Sequence, residues 1–375
     1  MSSTTTLGLP PVTGAWREGD PVGSRKFLSI GDVQLESGDT IPDVTIAYES
    51  WGTYTGDNAV LVLHALTGDT HVTGPAGPGH PSPGWWDTLI GPGEAIDTER
   101  HFVVSANILG GCQGTTGPAS NAPDGRPWGS RFPAITVRDQ VSAEAAFSDA
   151  LGVDVWHAVI GGSAGGMRGL EWAIMHPHRV ERLFLLATCA AASAQQVALT
   201  ATQNDIVRAD PFFAGGDYYD ADRGPTQGLD LARRVAHISY RSEAELQERF
   251  GRTLQDDELV AAGGRFAVES YLQHHGTKLA GRFDANSYLL LGAAMNSHDV
   301  GRGRGGVAAA LSQITARTTV AGIDSDRLYP LHEQQELADQ IPDAGDLAVV
   351  TSLHGHDGFL VEHEQVGRLA AALLA

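Results

Sequence analysis

A serine in a glycine-rich turn is the first residue whose setting suggests chemistry. Ser163 lies in the run Gly161-Gly162-Ser163-Ala164-Gly165, after an apolar stretch and before helix-like sequence. The pattern Gly-x-Ser-x-Gly places a serine on a sharp, strained turn between a strand and a helix, where bulky neighbours would clash. The N-terminus of the following helix favours developing negative charge. The turn therefore predicts a nucleophilic serine.

A serine nucleophile needs a histidine to accept its proton and an acid to orient that histidine. Where this turn occurs, the acid and the histidine follow the serine in chain order. The segment TTVAGIDSDRLYP offers Asp324 and Asp326, and VVTSLHGHDGF offers His354 and His356. Order and spacing fit both acids and both histidines, so these features leave the choice open.

Acyl transfer also requires two backbone N–H groups that stabilise the negative oxygen of the tetrahedral intermediate. One should belong to Ala164, directly after the serine. The other should come from a loop after an early strand, where the segment HALTG makes Leu66 the candidate. We expect His64, in the same segment, to be structural.

The elements that must position these residues alternate between strands and helices. Short apolar runs predict buried parallel strands, with helix-like sequence between them. The runs are AVLVLHAL (59–66), HFVVSANILGG (101–111), VWHAVIGGS (155–163) and VERLFLLATCA (180–190). Residues 28–50 alternate apolar and polar, as antiparallel strands do. We predict an α/β fold with a mostly parallel central sheet and helices on both faces.

The strand–helix alternation stops at residue 191 and resumes near residue 317. We therefore predict a helical lid at 191–316, inserted into one core domain formed by 26–190 and 317–375. Two separate domains are the alternative, but the returning strands would then lack partners for a sheet. Residues 1–25 lack the basic start and apolar core of a secretory signal and are expected to be a flexible lead-in.

Composition limits the classes of partner. The net charge of -20 opposes binding to nucleic acid, and no apolar run approaches the ~18 residues that suggest a membrane span. The two cysteines, Cys112 and Cys189, have no metal-binding spacing, so no metal site is predicted. Low cysteine content fits a reducing, cytoplasmic setting. An anionic substrate would need a local cluster of arginines, because the electrostatic field of this negatively charged chain repels anions.

Several segments together resemble the homoserine O-acetyltransferase family of methionine biosynthesis, which belongs to the α/β-hydrolase superfamily. They span most of the chain from about residue 28 and are HALTGD (64–69), GGSAGGMRGLEW (161–172), LARRVAHISYR (231–241), NSHDVGRGRGG (296–306), SDRLYP (325–330) and GHDGFLVE (355–362). The resemblance implies Asp326 as the acid and His356 as the base. It also implies substrate-binding roles for Arg233, with Arg234 as the near alternative, and for Asp357.

The function implied by this resemblance is acetyl transfer to the hydroxyl of L-homoserine through an acetylated Ser163. Acetyl-CoA is then a co-substrate, and no resident cofactor is expected. Homoserine is a zwitterion, so an arginine fork suits its carboxylate and Asp357 suits its ammonium group. The resemblance also suggests a homodimer formed through the lid. One departure is Ala164, where many members have methionine; the oxyanion donor is a backbone N–H, so catalysis should survive.

Rival interpretations remain at this point. An esterase of the same fold would share the triad but would have no use for paired Arg233 and Asp357. A sister acyltransferase that uses succinyl-CoA or L-serine is poorly separated by sequence. A non-catalytic binding protein is disfavoured by the intact serine, acid and histidine. Arg302 and Arg304, in GRGRGG (301–306), could attract the phosphates of CoA or form an exposed basic loop.

Overall fold

The computed structural model describes residues 11–256, 258 and 260–375, and a twisted sheet lies at its centre. Within this described part, eight strands form the sheet in the order β1-β2-β6-β3-β7-β8-β9-β10, and β4 pairs with β5 apart from it. The strands are β1 (Lys26–Gln34), β2 (Thr40–Trp51), β3 (Ala59–Leu63), β4 (Ile90–Gly91), β5 (Ile96–Asp97), β6 (Phe102–Ala106), β7 (Ala158–Gly162), β8 (Arg182–Leu186), β9 (Arg317–Ile323) and β10 (Ala348–Val350).

The sheet is mostly parallel, as predicted. Strand β2 pairs antiparallel with β1 and with β6, and every other neighbouring pair in the sheet is parallel. In the central strands β3 and β7 every residue is buried. Because the carboxyl ends of parallel strands meet at one edge, the loops after β3, β7, β9 and β10 can converge there.

Helices cover both faces of the sheet, which confirms the predicted α/β class. The α-helices are α1 (Val137–Leu151), α2 (Ala164–Met175), α3 (Ala194–Arg208), α4 (Thr226–Tyr240), α5 (Glu243–Arg249), α6 (Ala267–Ala280), α7 (Ala285–Asn296), α8 (Val307–Leu311), α9 (Leu331–Gln340), α10 (Gly358–Val361) and α11 (His363–Leu374). Short 3₁₀ helices occupy Gly129–Arg131, Pro177–Arg179, Ala214–Gly216, Val260–Ala262 and Gly355–Asp357.

Two apolar cores lie on the two faces because side chains alternate along each strand. On β3, Leu61 and Leu63 face a core that includes Leu170 of α2. Val60 and Val62 face the other core, shared with α11. None of the helices in the described part of the chain is long and apolar enough to cross a membrane.

The segment between β8 and β9 is helical, as expected for the predicted lid. Helices α3 to α8 lie there, and the described residues of 191–316 contain no strand longer than an isolated bridge. The lid has its own apolar cluster, which also includes residues of the loop after β6. Members of this cluster include Val207, Leu229, Leu279, Tyr288, Ile108 and Cys112.

Part of the expected lead-in packs against the lid and the core. Residues 1–10 lie outside the described part of the chain. Beyond them, the N–H of Trp16 donates to the carbonyl of Cys112 at 2.9 Å, and the Thr13 hydroxyl donates to Asp284 at 2.7 Å. Asp284 is fully buried. Residues 13–16 are therefore anchored, because they supply hydrogen bonds to buried groups.

Candidate active site

Ser163 occupies the sharp turn that its sequence predicts. Strand β7 ends one residue before it and helix α2 begins one residue after it. Its backbone has φ 56° and ψ −123°, a conformation that few residues with side chains adopt. A Cβ on Gly165 would lie 2.1 Å from the carbonyl oxygen of Leu63, and one on Gly161 would lie 2.3 Å from the carbonyl of Gly165. The glycines are therefore required by close backbone contacts.

An imidazole and a carboxylate meet this hydroxyl. Nε2 of His356 lies 2.9 Å from Oγ of Ser163, and its Nδ1 lies 2.6 Å from Oδ2 of Asp326. All three side chains are buried. The second carboxylate oxygen, Oδ1 of Asp326, accepts the N–H groups of Leu328 at 2.8 Å and Tyr329 at 2.9 Å. These bonds orient the carboxylate toward the imidazole.

The neighbouring acid and histidine have other partners. Oδ1 of Asp324 accepts the N–H of Ser352 at 3.0 Å, which ties the loop after β9 to the loop after β10. Nδ1 of His354 lies 3.4 Å from both Arg241 and Glu245, on the lid. The geometry therefore selects Asp326 and His356 from the two pairs that order and spacing allowed.

The environment of His356 suits a base. Burial alone would lower the pKa of its imidazole, but the adjacent charge and hydrogen bond of Asp326 outweigh burial and raise that pKa above its ordinary value. The ring of Tyr329 stacks on the imidazole with centroids 4.9 Å apart. A positively charged imidazolium at this position is therefore stabilised by its surroundings.

Two backbone donors are available beside the serine. In the part of the chain that the structure describes, the N–H groups of Leu66 and Ala164 have no protein acceptor. Arg168, fully buried on α2, pairs with Glu144 and donates to the carbonyl of His64. This contact joins the helix that carries Ala164 to the loop that carries Leu66, so it holds both candidate donors in place.

His64 itself is structural, as expected. Its Nε2 accepts the N–H of Ile108 at 3.1 Å, and its Nδ1 contacts the carbonyl of Ala65 at 2.8 Å. Burial and the nearby Arg168 lower the pKa of His64 to about 3, so the ring is neutral at ordinary pH.

The two candidate arginines on α4 differ in their partners. Arg234 forms an ion pair with Asp230. Arg233 lies over the ring of Tyr240, with Cζ 5.0 Å from the ring centroid, and its buried Nη1 has no partner among the described residues. The ring of Tyr240 is in turn 5.8 Å from that of His356. Arg233 can therefore offer a terminal donor near the imidazole, whereas Arg234 leaves only its Nε without a partner and uses Nη2 in the ion pair.

Asp357 follows His356 and is held by an arginine that the motifs did not single out. Its Oδ2 lies 3.1 Å from Nη2 of Arg241, which also contacts Glu245 at 3.1 Å. Burial raises the pKa of the Asp357 carboxyl, and the charges of Arg241 and then Arg233 oppose this rise. Sequence could not identify Arg241, because only the fold of α4 onto the loop after β10 brings it to Asp357.

A pocket of about 300 Å³ opens beside these residues. It is lined by Thr67, Gly68, Asp69, His71, His80, Pro81, Ser82, Pro83, Trp85, Arg233, His275, Lys278, Leu279 and Arg282. A narrower pocket of about 30 Å³ has Leu66, Tyr240 and Tyr329 among its lining residues. The adjacent residues Leu66 and Thr67 thus line different pockets, and the candidate oxyanion loop borders both.

Arg302 and Arg304 are not in either pocket lining. Arg302 pairs with Glu36 at 2.7 Å, and Arg304 pairs with Glu171 at 2.7 Å. Both side chains are engaged in ion pairs, so they do not form the free, flexible cationic loop that would attract the phosphates of CoA.

Three buried side chains near the larger pocket, Glu49, His71 and His80, place possible metal ligands close together. The two imidazoles stack with centroids 3.9 Å apart and planes 12° apart, so their in-plane lone pairs do not converge on one point. Nε2 of His80 already accepts the N–H of Ser24 at 2.9 Å. The arrangement is a hydrogen-bonded wall of the pocket, and its donor set does not fit a metal ion.

Comparisons with known proteins identify the family of this chain. A family model described as alpha/beta hydrolase fold matches residues 58–362. The chain is 62% identical to the homoserine O-acetyltransferase of Thermobifida fusca strain YX, and the alignment covers 100% of both chains. A homoserine O-acetyltransferase structure from Bacillus anthracis aligns with a TM-score of 0.84 and 26% identity, covering 93% of this chain and 97% of that one.

Fold similarity alone does not separate transfer from hydrolysis. The crystal structure of esterase E22 aligns with a TM-score of 0.85 and 25% identity, covering 94% of this chain and 99% of that one. The full-length sequence identity is far more specific than this shared fold. On that identity, the chain belongs to the homoserine O-acetyltransferase family of the α/β-hydrolase fold.

Proposed function

We propose that this enzyme transfers the acetyl group of acetyl-CoA to the hydroxyl of L-homoserine through an acetylated Ser163. The products are CoA and O-acetyl-L-homoserine, which would serve methionine biosynthesis in the cytoplasm. The chain of contacts from Asp326 through His356 to Ser163 supports this mechanism, and Arg233 and Asp357 beside it support an amino-acid acceptor. A homodimer formed through the lid stays a prediction.

In the first half-reaction, Nε2 of His356 accepts the Ser163 proton as Oγ attacks the thioester carbonyl. The N–H groups of Leu66 and Ala164 would stabilise the resulting oxyanion, and removing one such donor typically costs ~2.7–4 kcal/mol. The intermediate then breaks its carbon–sulfur bond. The CoA thiolate leaves and takes the proton from the imidazolium, which leaves acetyl-serine and a neutral histidine.

In the second half-reaction, homoserine binds with its carboxylate on Arg233 and its ammonium group on Asp357. His356 accepts the proton of the homoserine hydroxyl as that oxygen attacks acetyl-serine. Collapse of the intermediate releases the ester, and the imidazolium returns its proton to Ser163. Water competes with homoserine, but orientation of a bound hydroxyl is worth ~7–11 kcal/mol. The lid would favour transfer further by excluding water.

The single observation that carries an amino-acid acceptor is the free, buried donor of Arg233 near the imidazole. A matrix of acetyl-, propionyl- and succinyl-CoA against L-homoserine, L-serine and water tests the proposal. CoA release should be catalytic with acetyl-CoA and homoserine, and slow with water. Equal release with and without homoserine would favour an esterase, the class to which one of the similar structures belongs. Preference for succinyl-CoA or L-serine would favour a sister acyltransferase.

A further inference from the structure

The larger pocket has cationic groups in its wall, although the chain carries a net charge of -20. His275 and Lys278 of α6 and Arg282, two residues beyond it, line one side because they are spaced by three and four residues. Arg233 of α4 adds a further cation. The one acid among the residues lining this pocket is Asp69.

These basic side chains are not equivalent. Burial, followed by the charge of Arg233, lowers the pKa of His275 to about 4, so it is neutral at ordinary pH. Arg282 is less exposed than Lys278, and its Nη1 donates to the carbonyl of Thr67 at 2.9 Å. Lys278 is exposed, and in the described part of the chain no carboxylate forms an ion pair with its ammonium group. Lys278 is thus an unpaired cation at the solvent side of the pocket.

Cations of different exposure in one wall of the pocket suit a long anionic substrate that enters from solvent. Thr67 lines this pocket, and its neighbour Leu66, the candidate oxyanion donor beside which a thioester would react, lines the narrower one. A pocket of about 300 Å³ admits a slender acyl-carrying arm, so the bulky, phosphorylated nucleotide of acetyl-CoA would stay outside. An exposed ammonium group at the rim is then in a position to meet a phosphate.

We propose that Lys278 binds a phosphate group of CoA at the rim of this pocket, while the acyl-carrying arm passes inward along α6 toward Ser163. This inference rests on the proposed use of acetyl-CoA. It also replaces Arg302 and Arg304, which form ion pairs elsewhere, as the source of positive charge for the donor. Attraction at an exposed site is modest and screened by salt.

Two acetyl donors separate a phosphate contact from a general effect on the site. S-acetylpantetheine carries the same thioester as acetyl-CoA but lacks the nucleotide and the 3′-phosphate. Charge reversal in Lys278→Glu should raise the KM for acetyl-CoA about 5-fold or more at low salt, with kcat unchanged. The KM for S-acetylpantetheine should stay within about 2-fold, because the variant removes no contact to the thioester arm. Added salt should shrink the difference.

The chain offers a matched control, because its only other lysine is Lys26. Lys26 is exposed on β1, where its ammonium group donates to Ser50 at 2.8 Å. Lys26→Glu changes the net charge by the same amount and should leave both KM values unchanged. Lys278→Met keeps an apolar stem and serves as the milder variant if Lys278→Glu lowers the melting temperature.

Calorimetric titration with CoA and with pantetheine distinguishes failure of this inference from failure of the proposed function. Lys278→Glu should weaken CoA binding and leave pantetheine binding unchanged, whether or not turnover occurs. Unchanged CoA affinity, or an equal loss for both probes, would overturn the role of Lys278. Absence of homoserine-dependent CoA release by the wild-type enzyme would instead count against the proposed function.

Discussion

Replacing Asp326 with asparagine changes one carboxylate oxygen into an NH₂ group and leaves the shape of the side chain almost unchanged. In the wild type, Oδ1 accepts the N–H groups of Leu328 and Tyr329, and Oδ2 faces Nδ1 of His356. The asparagine can present its oxygen to only one of these sides. The orientation of the amide therefore determines the tautomer of the histidine.

The two backbone donors decide that orientation. With the NH₂ group toward them, the N–H groups of Leu328 and Tyr329 would both lose their acceptor, at ~1–3 kcal/mol each. Together these two losses favour, by about 2–6 kcal/mol, the orientation in which the NH₂ group faces His356. That orientation is then populated roughly 30 times more than the other, or still more. The NH₂ group then donates to Nδ1, so the ring proton moves to Nε2, and Nε2 can no longer accept the proton of Ser163.

We expect the acylation rate to fall by about 10⁴, equivalent to ~5.4 kcal/mol of transition-state stabilisation. The assay is rapid-mixing measurement of CoA release from acetyl-CoA with a chromogenic thiol reagent, with homoserine left out. Both protein thiols, Cys112 and Cys189, are buried, so the reagent reports CoA. The wild type should release one CoA per active site in a burst. Thermal unfolding of the variant should stay close to wild type, because both backbone donors keep an acceptor.

Asp324→Asn is the matched control. Its Oδ1 accepts only the N–H of Ser352, and an asparagine oxygen can make the same bond. We expect its burst rate to remain within about 3-fold of wild type. The reasoning would be refuted if Asp326→Asn kept more than about a tenth of the wild-type rate, or if the two variants lost activity equally.

Three further predictions concern the same site. The kcat/KM for acetyl-CoA should rise with pH through an apparent pKa above 6.5, because His356 must be neutral to accept a proton and its pKa is raised. A pH profile of kcat/KM whose rise is complete below pH 6.5 would contradict this. Arg241→Ala should raise the KM for homoserine about 10–100-fold and leave the CoA burst unchanged, because Asp357 loses the positive charge that keeps it ionised and oriented. The control Arg249→Ala should have little effect, because Arg249 also pairs with Glu245 but does not contact Asp357. Similar KM values for the two variants would refute this reasoning. Gly165→Ala should lower the free energy of unfolding by ~3 kcal/mol or more, or abolish the burst of CoA release, because the new Cβ would lie 2.1 Å from a backbone oxygen. A wild-type melting temperature together with a full burst would show that the turn can relax.

Features that depend on neighbours along the chain could be predicted from the sequence. The apolar runs predicted the parallel strands, because burial on both faces favours continuous apolar segments. The glycines around Ser163 predicted the sharp turn, because close backbone contacts exclude side chains there. The helical character of the segment between β8 and β9 followed from the interrupted strand pattern, and the family followed from the combined segments. All of these signals are local, or are sums of local signals.

The choice between adjacent side chains depended on the tertiary structure. Arg233 and Arg234 are neighbours in sequence, but successive residues of a helix point about 100° apart, so one carries a free donor near the imidazole and the other pairs with Asp230. The separate positions of Asp324 and Asp326, which only the family resemblance had distinguished, likewise follow from the residue of the loop after β10 that each contacts: Ser352 for Asp324 and His356 for Asp326.

The sequence by itself determined that a serine on a sharp turn, a mostly parallel sheet and a helical segment between two of its strands occur in this protein, because backbone sterics and burial patterns act over a few residues. Only the tertiary structure decided which charges remain free. Arg302 and Arg304 lie in a glycine-rich loop and still pair with acidic residues, whereas Lys278 forms no ion pair with any residue that the structure describes. Charge pairing joins residues far apart in the chain, so it depends on the packing of the lid against the core.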